Sequence, residues 1–357
     1  MIEKDDVGGN LMKLRWAGSI GFAFLVTLFV CAGTSKAETR DDARMWCNDE
    51  DPDHRIEGCT DIIKSGKVSN DSLARALRKR GVGYAKKHDY KRAIADYDQA
   101  LTLNPGLADA FYDRANAYAK LGQYQRAVDD YTQAATLDAA NFKAFANRGN
   151  AYDALGQVDR ALQDYDRAIA LNPNEAVSFN NRGFAHYEKG DYDQAVADFT
   201  RAIQLVPDYA LAFDNRSRAK VEMAQFEAAI HDLDEAIRID PNAARHWTDR
   251  CWAGALAGRL QQALSDCNHA MGMQPADPNT VGTRGLVYLK LQNYTAAIPD
   301  YDAALKQSRT DAYALYGRGL AKRAINDFTG GEKDIGDAKV LDPGIGDKFG
   351  RFGLASR

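Results

Sequence analysis

The hydrophobic pattern of the chain repeats every 34 residues between residues 74 and 345. Six prolines lie on a grid with this spacing, and the two other grid positions hold Ala139 and Arg309. The prolines are Pro105, Pro173, Pro207, Pro241, Pro275 and Pro343. Units that begin three residues after a grid position are residues 74–107, 108–141, 142–175, 176–209, 210–243, 244–277, 278–311 and 312–345. Eight units of equal length, with no insertion between them, predict a repeat architecture.

Each unit contains two stretches with the apolar spacing of an α-helix, which we call helix A and helix B. Position 4 of the unit is apolar and position 11 is tyrosine in four units, which places both on one face of helix A. Glycine at position 15 in four units, such as Gly122, indicates a left-handed turn that ends helix A. Helix B has alanine at position 27 in every unit and an aromatic residue at position 24 in five units. The unit is therefore predicted to be an antiparallel pair of amphipathic helices, which the proline ends.

This succession of aromatic, small, tyrosine, alanine, aromatic, alanine and proline positions resembles the tetratricopeptide repeat (TPR) family over residues 74–345. The resemblance implies an all-α fold, a right-handed superhelical solenoid of antiparallel helix pairs in which helix A lines a concave groove. It also implies that no pair buries its apolar face alone, so that stability is the sum of the contacts between neighbouring units.

An arginine at position 7 and an aspartate at position 23 occur in all eight units, whereas the family usually has an apolar residue at position 7. The arginines are Arg80, Arg114, Arg148, Arg182, Arg216, Arg250, Arg284 and Arg318, and the aspartates are Asp96, Asp130, Asp164, Asp198, Asp232, Asp266, Asp300 and Asp334. The two positions lie at nearly the same height in an antiparallel hairpin, which predicts a ladder of structural ion pairs within or between units. The alternative is that the arginines face the groove and bind anionic ligands.

The first 37 residues differ in kind from the repeats. Lys13 and Arg15 precede an uncharged run over residues 16–35, and the small residues Ser35 and Ala37 fit a signal peptidase site. We predict a signal peptide over residues 1–37, with Met12 as an alternative start. An uncleaved membrane anchor is the competing interpretation, because twenty uncharged residues can just span a bilayer.

The segments that flank the repeats are less regular. Residues 38–73 are predicted to form a degenerate N-terminal half-repeat, and residues 346–357 a C-terminal cap or tail. The glycine pair Gly330–Gly331 and the glycine-rich stretch over residues 344–353 predict turns and a frayed end.

Four cysteines lie outside the predicted signal peptide, at Cys47, Cys59, Cys251 and Cys267. Cys251 stands at position 8 of unit six, where glycine or alanine is usual, and Cys267 stands at position 24, where an aromatic residue is usual. These two departures face each other, which predicts a disulfide bond in an exported protein. The stretch around Cys59 resembles the stretch around Cys267, so Cys47 is expected to be its partner. Free buried thiols and a metal site are the alternatives, although neither pair has CxxC spacing.

Composition and charge exclude several functions. A net charge of -4 with interspersed signs gives no basic surface for nucleic acid. The six histidines are scattered, and the chain has no phosphate loop, GxSxG or HExxH motif. We therefore predict a protein that is not an enzyme, has no cofactor or metal, and lies in the periplasm or outside the cell, in the bacterial envelope.

Helix A positions 2, 5, 9, 12 and 13 generally face the groove in the family, and here they change from polar and partly basic to aromatic and apolar. The residues predicted to contact a partner are Asn116, Asn150, Asn180, Phe184, Tyr187, Arg218, Trp252, Leu286, Tyr313 and Tyr316. Asn147, Asn181 and Asn215 recur at position 6 and are expected to help bind a partner's backbone. The expected partner is an extended peptide or a helix of another protein. A membrane-anchored assembly factor and a solenoid that binds a glycan or small ligand are the alternatives.

Overall fold

The computed structural model describes residues 40–275 and 277–354, and this part of the chain contains α-helices and no strand. The helices are α1 (Arg40–Cys47), α2 (Pro52–Ser65), α3 (Asn70–Lys86), α4 (Tyr90–Leu103), α5 (Ala108–Lys120), α6 (Tyr124–Leu137), α7 (Phe142–Ala154), α8 (Val158–Leu171), α9 (Ala176–Lys189), α10 (Tyr192–Leu205), α11 (Ala210–Glu222), α12 (Phe226–Ile239), α13 (Ala244–Ala257), α14 (Leu260–Met273), α15 (Pro278–Lys290), α16 (Tyr294–Gln307), α17 (Ala312–Ala324), α18 (Phe328–Leu341) and α19 (Ile345–Arg351). The predicted signal peptide, residues 1–37, lies outside the described residues. None of the helices that are described is long and apolar enough to cross a membrane.

Consecutive helices pack as pairs, α3 with α4 through α17 with α18, and each pair packs on the next. The all-helical solenoid expected from the sequence is confirmed. The turn between the two helices of a pair has a left-handed residue at position 15 every time. Glycine occupies this position at Gly122, Gly156, Gly190 and Gly258, but His88, Ala224, Gln292 and Asn326 adopt the same positive φ. Such a conformation is strained by roughly 1 kcal/mol for a residue with a Cβ atom, so the packing of the two helices sets the turn geometry even without glycine.

The core of a pair is a close contact between position 8 of helix A and the aromatic residue at position 24 of helix B. A Cβ atom added at Gly149 would lie 2.7 Å from the Tyr165 ring, and one at Gly183 would lie 2.9 Å from the Phe199 ring. Tyr165 and Phe199 are at most 1% exposed. Glycine at position 8 therefore lets helix A approach the ring closely, which explains why a small residue on helix A faces an aromatic residue on helix B.

The arginine at position 7 forms two hydrogen bonds with the aspartate at position 23 of the same pair in all eight cases. The Nε and Nη2 atoms donate to the two carboxylate oxygens over 2.6–2.9 Å. The third nitrogen, Nη1, donates to helix B of the preceding hairpin, for example from Arg182 to Asp166 or from Arg148 to Thr132. These aspartates are at most 6% exposed. Each guanidinium group therefore joins three helices and crosses the boundary between neighbouring pairs.

The described cysteines form two bonded pairs. Cys251 and Cys267 join α13 to α14, and their Cα atoms lie 5.4 Å apart. Cys47 and Cys59 join α1 to α2 with a Cα separation of 4.5 Å. In unit six the disulfide joins positions 8 and 24, where units such as three and four have glycine packed on an aromatic ring. A covalent bond therefore replaces a packing contact at the centre of this pair.

Loss of the Cys251–Cys267 bond is expected to lower the free energy of unfolding by about 3 kcal/mol, because the cross-link closes a short loop in the unfolded chain. Urea denaturation of a Cys251→Ala, Cys267→Ala variant measures this loss. A Cys251→Gly, Cys267→Phe variant is the control, because it copies the Gly183 and Phe199 contact of unit four without the covalent bond. An unchanged free energy of unfolding in the double alanine variant would contradict the expectation.

Both ends of the repeat array are closed by shorter elements. At the amino end, the α1–α2 hairpin packs on α3, and its Thr60 accepts a hydrogen bond from Arg80. At the carboxyl end, α19 buries Ile345 and Phe349 against the last pair. The sequence-based prediction of turns was wrong for Gly330 and Gly331, which lie inside α18. Residues 345–351 form α19, which agrees with the cap that was one of the two alternatives for this end and differs from a frayed tail. Gly331 lies in close contact with Arg323 and with the backbone of Gly319, so its lack of a side chain serves helix packing.

Candidate ligand-binding groove

The helix A elements form a continuous surface along the solenoid. Each odd-numbered helix from α3 to α17 contacts the next odd-numbered helix, whereas the even-numbered helices of this region are separated by them. The odd-numbered helices are therefore closer together and line the inner side of the curved array. The residues that face this side decide what the groove can bind.

Amide side chains link neighbouring helices in the first half of the groove. Asn147 Nδ2 donates to Asn116 Oδ1 over 3.0 Å, and Asn181 Nδ2 donates to Asn150 Oδ1 over 2.8 Å. Each bond joins position 6 of one unit to position 9 of the unit before it. Asn116 also accepts a hydrogen bond from Tyr131. These asparagines were expected to bind a partner's backbone, but one polar atom of each already bonds the neighbouring asparagine.

We call this series of bonds between position 6 of one unit and the preceding unit the polar ladder, and it continues along the chain with two changes. Asn215 donates to Asn180 over 3.0 Å, and Asn180 is only 3% exposed. The amide of Asn180 is therefore covered and bonded inside the protein, and contact between Asn180 and a partner stays an untested prediction. One unit further on, Arg218 at position 9 donates to Asp249 at position 6 over 3.0 Å, so an ion pair replaces the pair of amides.

Phe184 and Tyr187 lie in the middle of the groove with their rings stacked at a centroid distance of 6.2 Å. Phe184 is 36% exposed, and Tyr187 lies beside the Arg218 and Asp249 pair. The basic start of the groove is less basic than its sequence indicates, because Arg78 is paired with both Asp109 and Asp113. Phe184 and Tyr187 therefore provide accessible aromatic surface near the centre of the array.

A buried charge cluster supports the Arg218 and Asp249 pair. Asp214 is fully buried, accepts a hydrogen bond from His246 Nδ1 over 2.9 Å and lies 3.2 Å from Arg245 Nη2. Burial alone would raise the pKa of Asp214, but the His246 hydrogen bond and the two arginines hold it below its ordinary value. Burial and the charge of Asp214 raise the pKa of Asp249 to about 6. Sequence reasoning missed Asp249, although its position 6 is the one that carries asparagine in three earlier units.

The polar ladder ends after this ion pair, and a cleft of about 650 Å³ opens in its place. We call it the C-terminal cleft. Position 9 of unit six is Trp252, and position 6 of unit seven is Thr283. The next such pair is Leu286 and Gly317. Neither pair can form the amide–amide bond or the ion pair of the earlier units. Trp252, Tyr313 and Phe349 contribute aromatic surface to its walls. A pocket of this size, with both aromatic and charged residues in its walls, suits the binding of a side chain or a short segment.

The helix α19 completes this cleft, which the sequence pattern did not reveal. Phe352 packs edge-on against Trp252 at a centroid distance of 5.3 Å and stacks on Tyr313 at 6.3 Å. Tyr316 is 1% exposed, because its ring lies 4.8 Å from that of Phe349. The cap helix therefore covers Tyr316, and contact between Tyr316 and a partner stays an untested prediction. Leu286 is 3% exposed and lines the cleft, and Tyr313 is 38% exposed.

No group of histidine, cysteine, aspartate or glutamate side chains suited to a metal ion occurs among the described residues.

Family models agree with this architecture. Models described as TPR repeat or tetratricopeptide repeat match residues 81–148, 149–190, 176–209, 215–278 and 283–343. The chain therefore belongs to the tetratricopeptide repeat family. Membership indicates a scaffold for protein–protein interactions, and proteins of this family bind protein partners. A search of the curated proteins finds no match.

Solved structures are similar to the chain in fold. A tetratricopeptide repeat protein from Parabacteroides merdae is 18% identical, with a TM-score of 0.56, over 70% of this chain and 98% of its own. PilW, a widely conserved type IV pilus biogenesis factor, is 19% identical, with a TM-score of 0.54, over 58% of this chain and 96% of its own. YrrB, a TPR protein with an unusual peptide-binding site, is 28% identical, with a TM-score of 0.46, over 54% of this chain and 96% of its own. The first two similarities concern the fold alone.

Proposed function

We propose that this protein is a non-enzymatic scaffold that binds a segment of a partner protein in its concave groove, and that the C-terminal cleft holds the main anchor. The observation that carries the proposal is the end of the polar ladder at Arg218 and Asp249. Before this point the groove side chains bond one another, and after it Trp252 and Tyr313 present aromatic surface beside an open cleft. Partly exposed aromatic residues in a pocket are the usual energetic centre of a protein interface.

We further propose that the protein acts outside the cytoplasm, in the cell envelope or as a secreted protein. A prediction and an observation support this location. The signal peptide predicted from the sequence of residues 1–37 would direct export, and the bonded cysteine pairs Cys47–Cys59 and Cys251–Cys267 are stable in an oxidising compartment. The two disulfides also stiffen the amino end of the array and the unit that carries Trp252.

Site-specific photo-crosslinking in the source organism tests both parts of the proposal. A photoreactive phenylalanine analogue replaces Tyr313 in the full-length protein, and a control places the same analogue at Val340, which is 83% exposed on helix B of the last pair. Cells are fractionated after illumination. We expect a discrete protein adduct from position 313 in the extracytoplasmic fraction, no such adduct from position 340, and a weaker adduct when Trp252→Ala is added.

The outcomes separate the parts of the proposal. An adduct that forms equally from both positions, or none from position 313, would count against binding in the groove. An adduct found only in the cytoplasmic fraction would leave the groove intact as a binding surface but would contradict the proposed location.

A further inference from the structure

The hydroxyl group of Tyr301 lacks the hydrogen bond that the equivalent tyrosine forms in units two and three. In units two and three the tyrosine at position 24 donates to the asparagine at position 9, with 2.6 Å from Tyr131 to Asn116 and 2.8 Å from Tyr165 to Asn150. In unit seven the residue at position 9 is leucine. Tyr301 is only 2% exposed, and its buried hydroxyl has no hydrogen-bond partner. Such a group is unfavourable in the unliganded protein.

The Tyr301 side chain is held in a narrow gap between helices. Its ring lies 3.0 Å from the place of a Cβ atom at Gly285, and a Cβ atom at Gly317 would overlap the hydroxyl end of the ring. Burial raises the pKa of this phenol, so it stays protonated and can donate a hydrogen bond. Tyr301 is also one of the residues that line the C-terminal cleft, so a ligand that fills the cleft lies next to this side chain.

Carboxyl groups outnumber basic groups around the C-terminal cleft. Arg218 and Arg245 line it but are already paired with Asp214, and Arg218 also with Asp249. Lys348 lies over the Tyr313 ring and is bonded to Asp342. Near Tyr313, the negative charge of Glu222 raises the pKa of the tyrosine and the positive charge of Arg351 lowers it.

Two further carboxylates line the cleft without a basic partner among the described residues. Asp277 caps α15 by accepting from the Thr280 backbone, and Asp311 caps α17 by accepting from the Ala314 backbone. In each case the bonds to the helix involve one carboxylate oxygen. The second oxygen of each group is therefore available to a cation in the cleft.

We propose that the C-terminal cleft recognises a peptide segment that carries an arginine or lysine side chain, and that Tyr301 donates a hydrogen bond to a backbone carbonyl of that segment. The inference rests on the proposed function and specifies its ligand. The cationic end of the side chain meets Asp277 and Asp311, and its aliphatic stem packs on the exposed faces of Trp252 and Tyr313. An acidic segment is disfavoured by the excess of carboxylates.

A phage-displayed random-peptide library selected against the oxidised full-length protein supplies the probe. The selected peptide that binds most tightly is labelled and titrated by fluorescence anisotropy against four variants. Tyr301→Phe removes the unpaired hydroxyl, and Tyr131→Phe removes a paired hydroxyl far from the cleft. A double Asp277→Asn, Asp311→Asn variant removes the charges but keeps the helix caps, and Asp327→Asn does the same at a cap outside the cleft.

We expect the selected peptides to be enriched in arginine and lysine. Tyr301→Phe is expected to weaken binding about fivefold to tenfold, the effect of one neutral hydrogen bond, without lowering thermal stability. The double aspartate variant is expected to weaken binding by a similar factor, and more at low than at high salt. Tyr131→Phe is expected to lower thermal stability and leave binding unchanged, and Asp327→Asn is expected to leave binding unchanged.

Other results would overturn the inference. Selected peptides that are acidic or neutral would do so, as would full affinity in Tyr301→Phe or in the double aspartate variant. If such peptides still lose affinity in Trp252→Ala, only the ligand class is wrong and the proposed function stands. If no peptide binds and no adduct forms at position 313 in cells, the proposed function fails with it.

Discussion

Asp198→Ala is expected to lower the free energy of unfolding by about 3 to 5 kcal/mol, because it leaves the Arg182 guanidinium partly buried without its main partner. Asp198 is 6% exposed and accepts two hydrogen bonds from Arg182, at 2.8 and 2.7 Å. The same arginine also bonds Asp166 over 2.6 Å, and that side chain is 63% exposed. Equilibrium urea unfolding followed by circular dichroism measures the loss.

Asp166→Ala is the matched control, because it removes a carboxylate from the same guanidinium on the solvent side. An exposed ion pair contributes less than about 1 kcal/mol, so this variant is expected to unfold almost as the wild type does. Equal small losses in Asp198→Ala and Asp166→Ala would show that the ladder is a surface feature with little energetic weight. Hydrogen exchange shows which units lose stability, since the units of a solenoid can unfold separately.

The ladder was accessible to sequence reasoning because its two residue types occupy the same two positions in every unit. Position 7 and position 23 keep arginine and aspartate although the residues around them vary, and the height of the two positions in a hairpin follows from helix geometry alone. The contact from Arg182 Nη1 to Asp166 was not accessible in the same way, because Thr132, Asp166 and Asn268 fill the equivalent position in different units.

The groove was harder to predict than the ladder for a physical reason. Whether a helix A side chain faces a partner or a neighbour depends on the side chains of the adjacent unit, as the bond between Asn180 and Asn215 shows. Asn180, assigned to the partner surface, is buried, whereas Asp249 faces the cleft and was overlooked. A comparison of position 9 with position 6 of the next unit would have identified Asp249 as the partner of Arg218.

The contacts of the carboxyl end could not be predicted from the repeat pattern, because α19 lies outside the 34-residue register. Nothing in the repeats specifies that Phe352 reaches back to Trp252 or that Phe349 covers Tyr316. The candidate site thus combines regular positions of the array with one irregular helix, and its distinctive chemistry lies in unit seven, where Leu286 replaces the asparagine that bonds the tyrosine hydroxyl in units two and three.

Phe349→Ala is expected to destabilise the last pair of helices by about 3 to 5 kcal/mol, the usual loss for a buried phenylalanine. Phe349 is 1% exposed and packs on Tyr316 and Tyr313, so its removal opens the end of the array to water. Because each unit contacts only its neighbours, the loss of protection in hydrogen exchange should be greatest in α17 to α19 and should fade towards α13.

Val340→Ala is the control for this prediction, because Val340 is 83% exposed at the end of α18 and contributes little packing. We expect its exchange pattern to match that of the wild type. An equal loss of protection from α3 to α19 in Phe349→Ala would mean that the array unfolds as one unit, and a normal pattern would mean that α19 does not stabilise it. Since Phe349 also lines the C-terminal cleft, the predicted local loss makes α19 both the cap of the solenoid and a wall of its binding site.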